Sequence, residues 1–264
     1  MAFIKLFHKV TTKIKGGMIF LRRAGIAPLN LKLLPEFPKF IKNLVEFKKL
    51  GGQVSKYYPV LDDRLEPAGI AKGQYFHQDL LVANFIYLQN PIRHIDIGSR
   101  IDGFVAHVAS YRVIEVFDIR DLPISEHSNL KFNQVNILEV NSNLNEEITD
   151  SISCLHTLEH IGLGRYGDPI DPNGSRLAFL KICKMVKPGG LIYLSVPISL
   201  ENRVEFNAHR FFKVGELLQW CPPNIKLTRF DYVDNENNLY MNMDVSKLEF
   251  PNKIALGIYT FQKL

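Results

Sequence analysis

The stretch at residues 94–103 carries the pattern in this chain that most directly indicates ligand chemistry. An apolar run ends in Asp96, and the chain then turns through Gly98 and Ser99 into a segment of helical pattern. Glycine lets the backbone approach a ligand closely, and the start of the following helix offers free N–H groups. A buried parallel strand that ends in a carboxylate and a glycine turn is the usual opening of a nucleotide-type cofactor site.

A second segment with chemical potential is His156-x-x-Glu159-His160, which matches the pattern of the inverted zinc proteases. Two histidines at this spacing on a helix would face one metal ion, with the glutamate as base. The surroundings disfavour this interpretation, because the segment follows a strand-like run and Gly162 and Gly164 end any helix almost at once. We therefore predict no metal site, and we interpret Glu159 and His160 as structural residues that fix the loop above the sheet.

The elements that must position these residues alternate between strand and helix patterns over residues 75–264. Strands are predicted at residues 92–97, 113–118, 132–135, 148–155, 191–196, 227–233 and 254–261, and helices at residues 75–88, 101–109, 175–186 and 214–220. This order predicts an α/β fold with a doubly wound, mostly parallel, seven-stranded sheet of Rossmann-like type. Only a polar stretch separates the last two strands, so we expect the final strand to be antiparallel and to lie at the edge of the sheet.

The basic character of the chain comes from its first fifth. The whole sequence has 32 Lys and Arg against 27 Asp and Glu, a net charge of +5. Residues 1–50 hold 11 basic and 2 acidic residues, a charge of +9, so the remainder holds 21 and 25, a charge of −4. A mildly acidic body argues against a general nucleic-acid-binding surface, and we predict no nucleic-acid partner.

The cysteines and the hydropathy of the sequence indicate in which cellular compartment the protein is expected. The three cysteines, Cys154, Cys183 and Cys221, are far apart in sequence, form no disulfide framework and favour a reducing compartment. No apolar run is long enough to cross a bilayer, and the N-terminus has no secretory pattern. We expect a cytoplasmic protein.

Residues 1–50 have the pattern of basic amphipathic helices. One apolar stripe comprises Phe3, Ile4, Phe7 and Val10, and a second comprises Phe37, Phe40, Ile41, Leu44 and Phe47. Lysines surround both stripes, so one interpretation is peripheral contact with an anionic membrane surface at its inner face. The other is a helical cap packed on the main domain. With the proline- and glycine-containing stretch that follows, residues 1–74 are predicted as a helical extension and linker, and residues 75–264 as the main domain.

Four stretches together resemble the class I S-adenosylmethionine-dependent methyltransferases, and the resemblance spans about residues 75–264. They are Asp96-Ile-Gly98-Ser99, similar to the cofactor loop; Asp118 at the end of the second strand; Leu155-His156-Thr157-Leu158-Glu159-His160, similar to the His-x-Leu-Glu-His segment; and Met185-Val186-Lys187-Pro188-Gly189-Gly190, similar to the turn before the fifth strand. The resemblance is closer to an uncharacterised branch with a domain of unknown function, often linked with polysaccharide biosynthesis. That branch shares the run from Leu158 to Asp168 and Asn207-Ala-His209-Arg210.

The resemblance implies S-adenosylmethionine as cofactor and assigns residues to hold it. These are Asp96, Gly98, Ser99, Asp118, Asn136 and His156. Asp118 would bind the ribose hydroxyls, and an acid about 20 residues after the glycine turn suits that task. The sequence departs from the family's Gly-x-Gly-x-Gly loop, because Arg100 and Asp102 interrupt it.

The expected acceptor site lies in two segments after the fourth and fifth strands, at the end of the sheet where ligands bind. Its residues are Arg165, Tyr166, Asp168, Asn207 and Arg210, with Arg210 as a clamp for a phosphate or carboxylate. An alternative for the loop at residues 162–174 is an ordered surface loop with an Asp-Pro turn.

The implied reaction is methyl transfer, and we expect a hydroxyl of a sugar or glycan intermediate as the acceptor. Transfer to a hydroxyl needs a general base, for which His209 is the first candidate and His156 the second. The alternative function is a catalytically inactive methyltransferase-fold scaffold in a membrane-associated glycan assembly complex, with its cofactor loop altered by Arg100 and Asp102.

Overall fold

A computed structural model of the protein describes residues 35–123, 125–139, 146–247 and 254–264. The chain divides into two compact units, Met1–Ile70 and Ala71–Leu264. The first predicted amphipathic stripe, Phe3 to Val10, lies outside the described residues.

Helix α1, Phe37–Lys49, is the main element in the described part of the first unit. Pro38 lies in its first turn. Proline has no N–H group, and N–H groups in the first turn have no acceptor within the helix, so proline is tolerated there. The second predicted stripe falls on α1, and none of the residues of this helix is buried. Lys48 and Lys49 occupy its last turn, where positive charge complements the helix dipole.

The second unit is built on one sheet, in which ten strands are described. They are β1 His94–Ile97, β2 Ile114–Asp118, β3 Leu130–Gln134, β4 Thr149–Leu155, β5 Val186–Ser199, β6 Arg203–Glu205, β7 His209–Lys213, β8 Ile225–Val233, β9 Leu239–Tyr240 and β10 Ile254–Lys263. The seven predicted strands are therefore present, and the predicted total of seven is too low by three.

Seven strands form the body of the sheet in the order β3-β2-β1-β4-β5-β10-β8. Strands β1 to β5 are paired in parallel, and β10 is antiparallel to both β5 and β8. The direction predicted for the last strand is confirmed, but its position at the edge is wrong. From Ala255 to Phe261 every residue of β10 is buried, as is typical of an interior strand covered on both faces.

The three additional strands lie at the periphery. Strand β9 pairs with β8 at the edge of the sheet, and β6 forms an antiparallel pair with β7. Strand β7 also pairs in parallel with the end of β5, at Ile198 and Ser199. These pairs are short, so their sequences carry little strand periodicity.

Helices cover both faces of the sheet. They are α2 Gln74–Gln89, α3 Ala106–Ala109, α4 Gly174–Met185 and α5 Glu216–Trp220. One buried apolar cluster joins α4 and α5 to strand residues such as Ile95, and the other joins α2 and α3 to residues such as Val116. This arrangement confirms the predicted doubly wound α/β fold.

The segment predicted as a helix at residues 101–109 is irregular at its start. Residues Ile101–Val105 form a π-type turn with a kink at Gly103 (φ −125°, ψ −110°), and regular α-helix is confined to α3. No helix in the described ranges is long and apolar enough to span a membrane.

Candidate functional site

A cavity of about 500 Å³ opens at the carboxyl ends of β1, β2 and β4. Its volume falls within the range of small-molecule sites. Eight of the predicted site residues line it: Gly98, Asp118, Asn136, His156, Arg165, Tyr166, Asp168 and His209. The topology thus brings together residues that are up to about 110 positions apart in sequence, because parallel strands place their carboxyl ends on one edge.

Gly98 lets the chain turn at the floor of this cavity. Its φ is +68°, a left-handed conformation that side chains rarely adopt. A Cβ atom placed on it would lie 2.6 Å from Cγ2 of Thr157. The N–H of Gly98 also donates to the carbonyl of Phe117 at 2.9 Å, which ties the turn to the end of β2.

Asp96 and Ser99 lie beneath the cavity and do not line it, which corrects their predicted role in direct cofactor binding. The Asp96 carboxylate accepts hydrogen bonds from the Ser99 N–H at 2.9 Å, the Ser99 hydroxyl at 2.6 Å and the Ser153 hydroxyl at 2.5 Å. Ser99 Oγ in turn accepts from the N–H of Leu155 at 3.1 Å. The side chains of Asp96 and Ser99 therefore attach the turn that follows β1 to the neighbouring strand β4.

The interior position of this network changes its protonation equilibria. Burial raises the pKa of Asp96 to about 6, although its hydrogen bonds to Ser153 and Ser99 act in the opposite direction. His94 lies next in the network, hydrogen-bonded to Ser151 Oγ at 2.8 Å and Ser153 Oγ at 3.1 Å. Burial lowers the pKa of His94 to about 3, so the imidazole is neutral in the folded protein.

Asp118 ends β2 at the cavity and forms an ion pair with Arg120. The Arg120 guanidinium donates from Nε to Oδ1 at 3.0 Å and from Nη2 to Oδ2 at 2.6 Å, and its backbone N–H donates to Oδ1 at 2.8 Å. A carboxylate has about four lone-pair positions, so three are in use. Arg120 was not predicted as a site residue, although its place two positions after the acid was a signal.

The neighbouring wall is apolar and contains Asn136. Val135 and Ile137, which flank Asn136 in sequence, line the cavity together with Ile119. Asn136 Oδ1 accepts from the N–H of Leu138 at 3.0 Å, so the amide oxygen holds its own loop. Among the described residues its amide NH₂ has no acceptor, so it can donate to a planar polar ring.

His156 and Glu159 form a largely enclosed pair that also lines the cavity. His156 Nδ1 lies 3.0 Å from Glu159 Oε1, and the side chain of Glu159 is only 1% exposed. A carboxylate can only accept at this contact, so Nδ1 carries a proton, and the lone pair of the corresponding neutral tautomer is on Nε2. Both Nε2 of His156 and Oε2 of Glu159 are buried and have no hydrogen-bond partner in the described part of the chain.

The backbone of His156 is held in an unusual conformation, with φ at +51°. Its N–H donates to Ser195 Oγ at 3.0 Å, and the Ser195 hydroxyl donates to the side-chain oxygen of Gln78 on α2. The ring of Tyr75 lies 4.6 Å from the imidazole. Strained backbone conformations that are held by surrounding contacts, here by Ser195 and Tyr75, are common at functional sites.

The two other histidines at the cavity have different surroundings. His160 Nδ1 donates to the carbonyl of Ala208 at 2.7 Å, and burial lowers the pKa of this imidazole. The segment from His156 to His160 contains a single 3₁₀ turn, Leu158–His160, so the two histidines do not share one face of an α-helix as a zinc site would require. His209 is more exposed, and its Nε2 lies 3.5 Å from the exposed Glu205.

Asp168 folds the loop that carries Arg165 and Tyr166. Its Oδ2 accepts from the N–H of Gly162 at 2.6 Å and of Gly164 at 3.3 Å, and its Oδ1 accepts from the N–H of Tyr166 at 3.3 Å. The carboxylate is therefore committed to the loop backbone. Its role is to present its two neighbours at the cavity.

Arg210 and Asn207 do not reach the cavity, which corrects their predicted role in acceptor binding. The guanidinium of Arg210 is buried, and Nη1 donates to the carbonyl of Ile161 at 2.6 Å and to Ser175 Oγ at 2.9 Å. Nη2 donates to the carbonyl of Asp171 at 3.2 Å. Arg210 thus anchors the 162–174 loop instead of clamping a ligand, and Asn207 occupies an exposed left-handed turn with φ of +63°.

The two residues that interrupt the family's glycine pattern bond to each other at the rim. Arg100 donates to Asp102 through Nε at 3.1 Å and Nη2 at 3.0 Å, and both side chains are exposed. Arg100 also lies over the ring of Tyr75, 5.5 Å from its centroid. Tyr75 and Thr157 line the cavity as well, and no sequence signal identified either as a site residue.

One family model matches part of the chain. Residues 105–220 match a family model described as "Caenorhabditis protein of unknown function, DUF268", which covers less than half of the chain. No protein of curated function matches the sequence.

Comparison with solved structures is more informative about the fold. The chain is similar to the [4+2]-cyclase SpnF (TM-score 0.52, 13% identity, covering 79% of this chain and 84% of that one). It is also similar to the Burkholderia thailandensis 1,6-didemethyltoxoflavin-N1-methyltransferase with bound S-adenosylhomocysteine (TM-score 0.50, 14% identity, 70% and 78%). A third similar structure is the N-methyltransferase NodS from Bradyrhizobium japonicum WM9 (TM-score 0.50, 12% identity, 74% and 99%).

These likenesses define the class of fold. The chain has the Rossmann-like fold found in S-adenosylmethionine-dependent methyltransferases. A cyclase is similar as well, so the fold alone does not select the reaction, and the activity must be argued from the site.

Proposed function

We propose that the protein is an S-adenosylmethionine-dependent methyltransferase that acts on a hydroxyl of a sugar or glycan intermediate. The observation that carries the proposal is the hydrogen-bonded His156–Glu159 pair: both residues line the cavity that also contains Gly98 and Asp118, and Nε2 of His156 has no partner among the described residues. A positioned base and a nucleotide-type pocket in one cavity are the two parts that such a reaction needs.

The residues present fit a nucleoside cofactor. Gly98 brings the backbone to the cavity wall, and the contacts described for Asp118 leave one acceptor position for a ribose hydroxyl. Ile119 and Ile137 offer an apolar slot for a planar base, with the Asn136 amide beside it. When bound, S-adenosylmethionine supplies an electrophilic methyl group to the acceptor oxygen.

The geometry favours His156 over His209 as the general base. The Glu159 carboxylate holds the His156 ring and fixes its tautomer, so Nε2 accepts the proton that the acceptor hydroxyl releases. Glu159 then stabilises the imidazolium that forms. His209 has only a 3.5 Å contact with an exposed glutamate, which gives it no comparable orientation.

Arg165 and Tyr166 support a sugar acceptor. An aromatic face suits the apolar face of a sugar ring, and guanidinium donors suit its hydroxyl groups. Both side chains line the same cavity as the His156–Glu159 pair.

The first test is calorimetric titration of the protein with S-adenosylmethionine and S-adenosylhomocysteine. We expect micromolar binding that falls at least about tenfold in Asp118→Ala, because a carboxylate that accepts from ligand hydroxyls is removed. Asp121→Ala, which removes an exposed carboxylate outside the cavity, is the matched control. Incubation with labelled cofactor and a panel of sugar acceptors then tests transfer.

Absence of binding by the folded protein would instead support the inactive-scaffold alternative. Helix α1 is the observation that favours a recruitment role, because its lysines and apolar residues are all unburied. Sedimentation with anionic vesicles tests this membrane contact, using the full chain and a variant in which Lys39, Lys42, Lys48 and Lys49 are changed to Gln. Equal sedimentation of the two proteins would contradict the membrane role.

A further inference from the structure

We propose that the acceptor carries an anionic group, a phosphate or a carboxylate, and that Arg165 binds this group beside Tyr166. The inference rests on the proposed function, and it adds the charge of the substrate. It follows from which of the arginines at the cavity have a carboxylate partner to balance their charge.

Three arginines line the cavity, and two of them already have a carboxylate partner. Arg100 pairs with Asp102, and Arg120 pairs with Asp118 at 2.6 Å. Among the residues that the structure describes, no carboxylate oxygen lies within 4 Å of the Arg165 guanidinium. Arg165 is therefore the cavity cation whose charge is left for a ligand.

The carboxylates nearest in sequence are committed elsewhere. Asp168 accepts from three backbone N–H groups of its own loop. Glu159 is buried, with one oxygen bonded to His156 and 3.7 Å from His160 Nε2. Neither carboxylate is within ion-pair distance of Arg165.

The Arg165 side chain is also held in place. Its Nη1 donates to the carbonyl of Ala208 at 3.0 Å and lies 3.5 Å from His160 Nδ1. The guanidinium lies over the Tyr166 ring at 5.2 Å, while that of Arg120 lies over the same ring at 4.6 Å. A stacked, anchored guanidinium loses less rotamer freedom on binding than a free one.

The contacts of Arg165 leave the right donors free. The hydrogen bond described for this side chain uses Nη1, so Nε and Nη2 can present two parallel N–H donors to one anion. This fork matches the spacing of two oxygens in a carboxylate or phosphate and makes bidentate binding the favoured mode. A neutral sugar would leave the charge uncompensated.

The test compares charged and neutral probes on the full chain saturated with S-adenosylhomocysteine. Glucose 1-phosphate, glucuronate and glucose are titrated by ligand-observed NMR. We expect at least one charged sugar to bind about tenfold more tightly than glucose, because charge-assisted hydrogen bonds are the strong ones. The preferred probe shows whether the group is a phosphate or a carboxylate.

Two variants locate the effect. Arg165→Gln should abolish the preference for the charged sugar, and Arg165→Lys should retain only part of it, because lysine lacks the planar fork. Arg176→Gln removes an exposed arginine outside the cavity and should leave the preference intact.

Equal affinity for the three sugars, or an unchanged preference in Arg165→Gln, would overturn the inference. The titration of S-adenosylhomocysteine itself separates this result from failure of the proposed function. If the wild-type protein binds the cofactor but shows no preference for charged sugars, only the anionic acceptor is overturned. If the wild-type protein does not bind the cofactor, the proposed methyltransferase function is overturned as well.

Discussion

Glu159 Oε1 lies 3.0 Å from Nδ1 of His156, and the outer atoms of the pair, Nε2 and Oε2, are buried with no hydrogen-bond partner in the described ranges. Buried polar atoms are rarely left unpaired, because each costs about 1–3 kcal/mol. Both atoms belong to residues that line the cavity, so a bound acceptor is the natural partner for them.

We expect His156→Gln to lower the rate of methyl transfer by about 100-fold or more, the usual contribution of a positioned general base. Affinity for S-adenosylhomocysteine should change much less than the rate, because the base acts on the acceptor; an equal loss of both would favour the cofactor-binding role that the resemblance implies for His156. Glu159→Gln should lower the rate by about 10- to 100-fold, since it removes the group that orients the ring. Steady-state rates and calorimetry on the same preparations measure both effects.

His209→Gln is the control that separates the two candidate bases. Its imidazole has a weak contact with Glu205 and is partly exposed, so we expect a loss of less than about tenfold. The reverse ranking, with His209→Gln more damaging than His156→Gln, would show that the base has been assigned to the wrong histidine.

Gly98→Ala should weaken cofactor binding by at least about tenfold and destabilise the fold by about 1–3 kcal/mol. The new Cβ would lie 2.6 Å from Thr157 Cγ2 at a residue with φ of +68°. Calorimetry with S-adenosylhomocysteine and urea unfolding provide the two measurements.

Two further variants separate strain from contact at this turn. Gly189→Ala has a similar φ of +80° but meets no atom within 4 Å, so it should cost only the left-handed backbone penalty of about 1 kcal/mol. Thr157→Ser removes Cγ2 and should partly restore the binding lost in Gly98→Ala. If Gly98→Ala and Gly189→Ala lost equal stability, and Thr157→Ser did not restore binding in Gly98→Ala, the contact between the new Cβ and Thr157 Cγ2 would not be the cause.

The order of elements was predictable because buried parallel strands have strong apolar runs. The predicted position of β10 at the edge was wrong, although the continuous apolar stretch from Ala255 onward is typical of an interior strand. Strands β6 and β9 are short partners in hairpins with β7 and β8, and two residues such as Leu239 and Tyr240 carry no periodicity.

The sequence placed some of the predicted site residues at the cavity, but it did not show which of them bond within the fold instead. Gly98 and Asp118 are strand-end residues, and the fold places both at the cavity. Asp96 and Arg210 have the same residue types as ligand-binding groups, but their partners, Ser153 and Ser175, come from distant segments. Sequence patterns alone give no information on such partners.

Arg120→Gln should leave affinity for S-adenosylhomocysteine unchanged or improve it a few fold. The ion pair with Asp118 is partly solvent-exposed and contributes little on its own, and its removal frees lone pairs for ligand hydroxyls. Asp118→Ala should lose affinity in the same calorimetric assay. A loss in Arg120→Gln as large as that in Asp118→Ala would mean that the arginine itself binds the cofactor.

Arg210→Ala should destabilise the folded protein by about 3 kcal/mol or more, because several buried acceptors lose their donor together. These include the carbonyls of Ile161 and Asp171. Urea unfolding measures the change, and Arg176→Ala, an exposed arginine, is the control with an expected change within about 0.5 kcal/mol. A small effect in Arg210→Ala would restore the ligand-clamp interpretation.

Asp96→Asn should change the pH dependence of stability, because burial raises the pKa of Asp96 to about 6 from a usual value of 3.8. Between about pH 4 and 6 the folded protein holds a proton that the unfolded chain has lost, so Asp96 makes wild-type stability fall as pH rises. Asp96→Asn lacks this effect. Its free energy of unfolding should therefore rise relative to wild type by about 1.4 kcal/mol per pH unit between about pH 4 and 6, with no further rise above about pH 6. Urea unfolding at several pH values measures the difference, with Asp121→Asn as a control that should keep the wild-type slope. Parallel curves for Asp96→Asn and wild type would show that the buried carboxyl is ionised throughout.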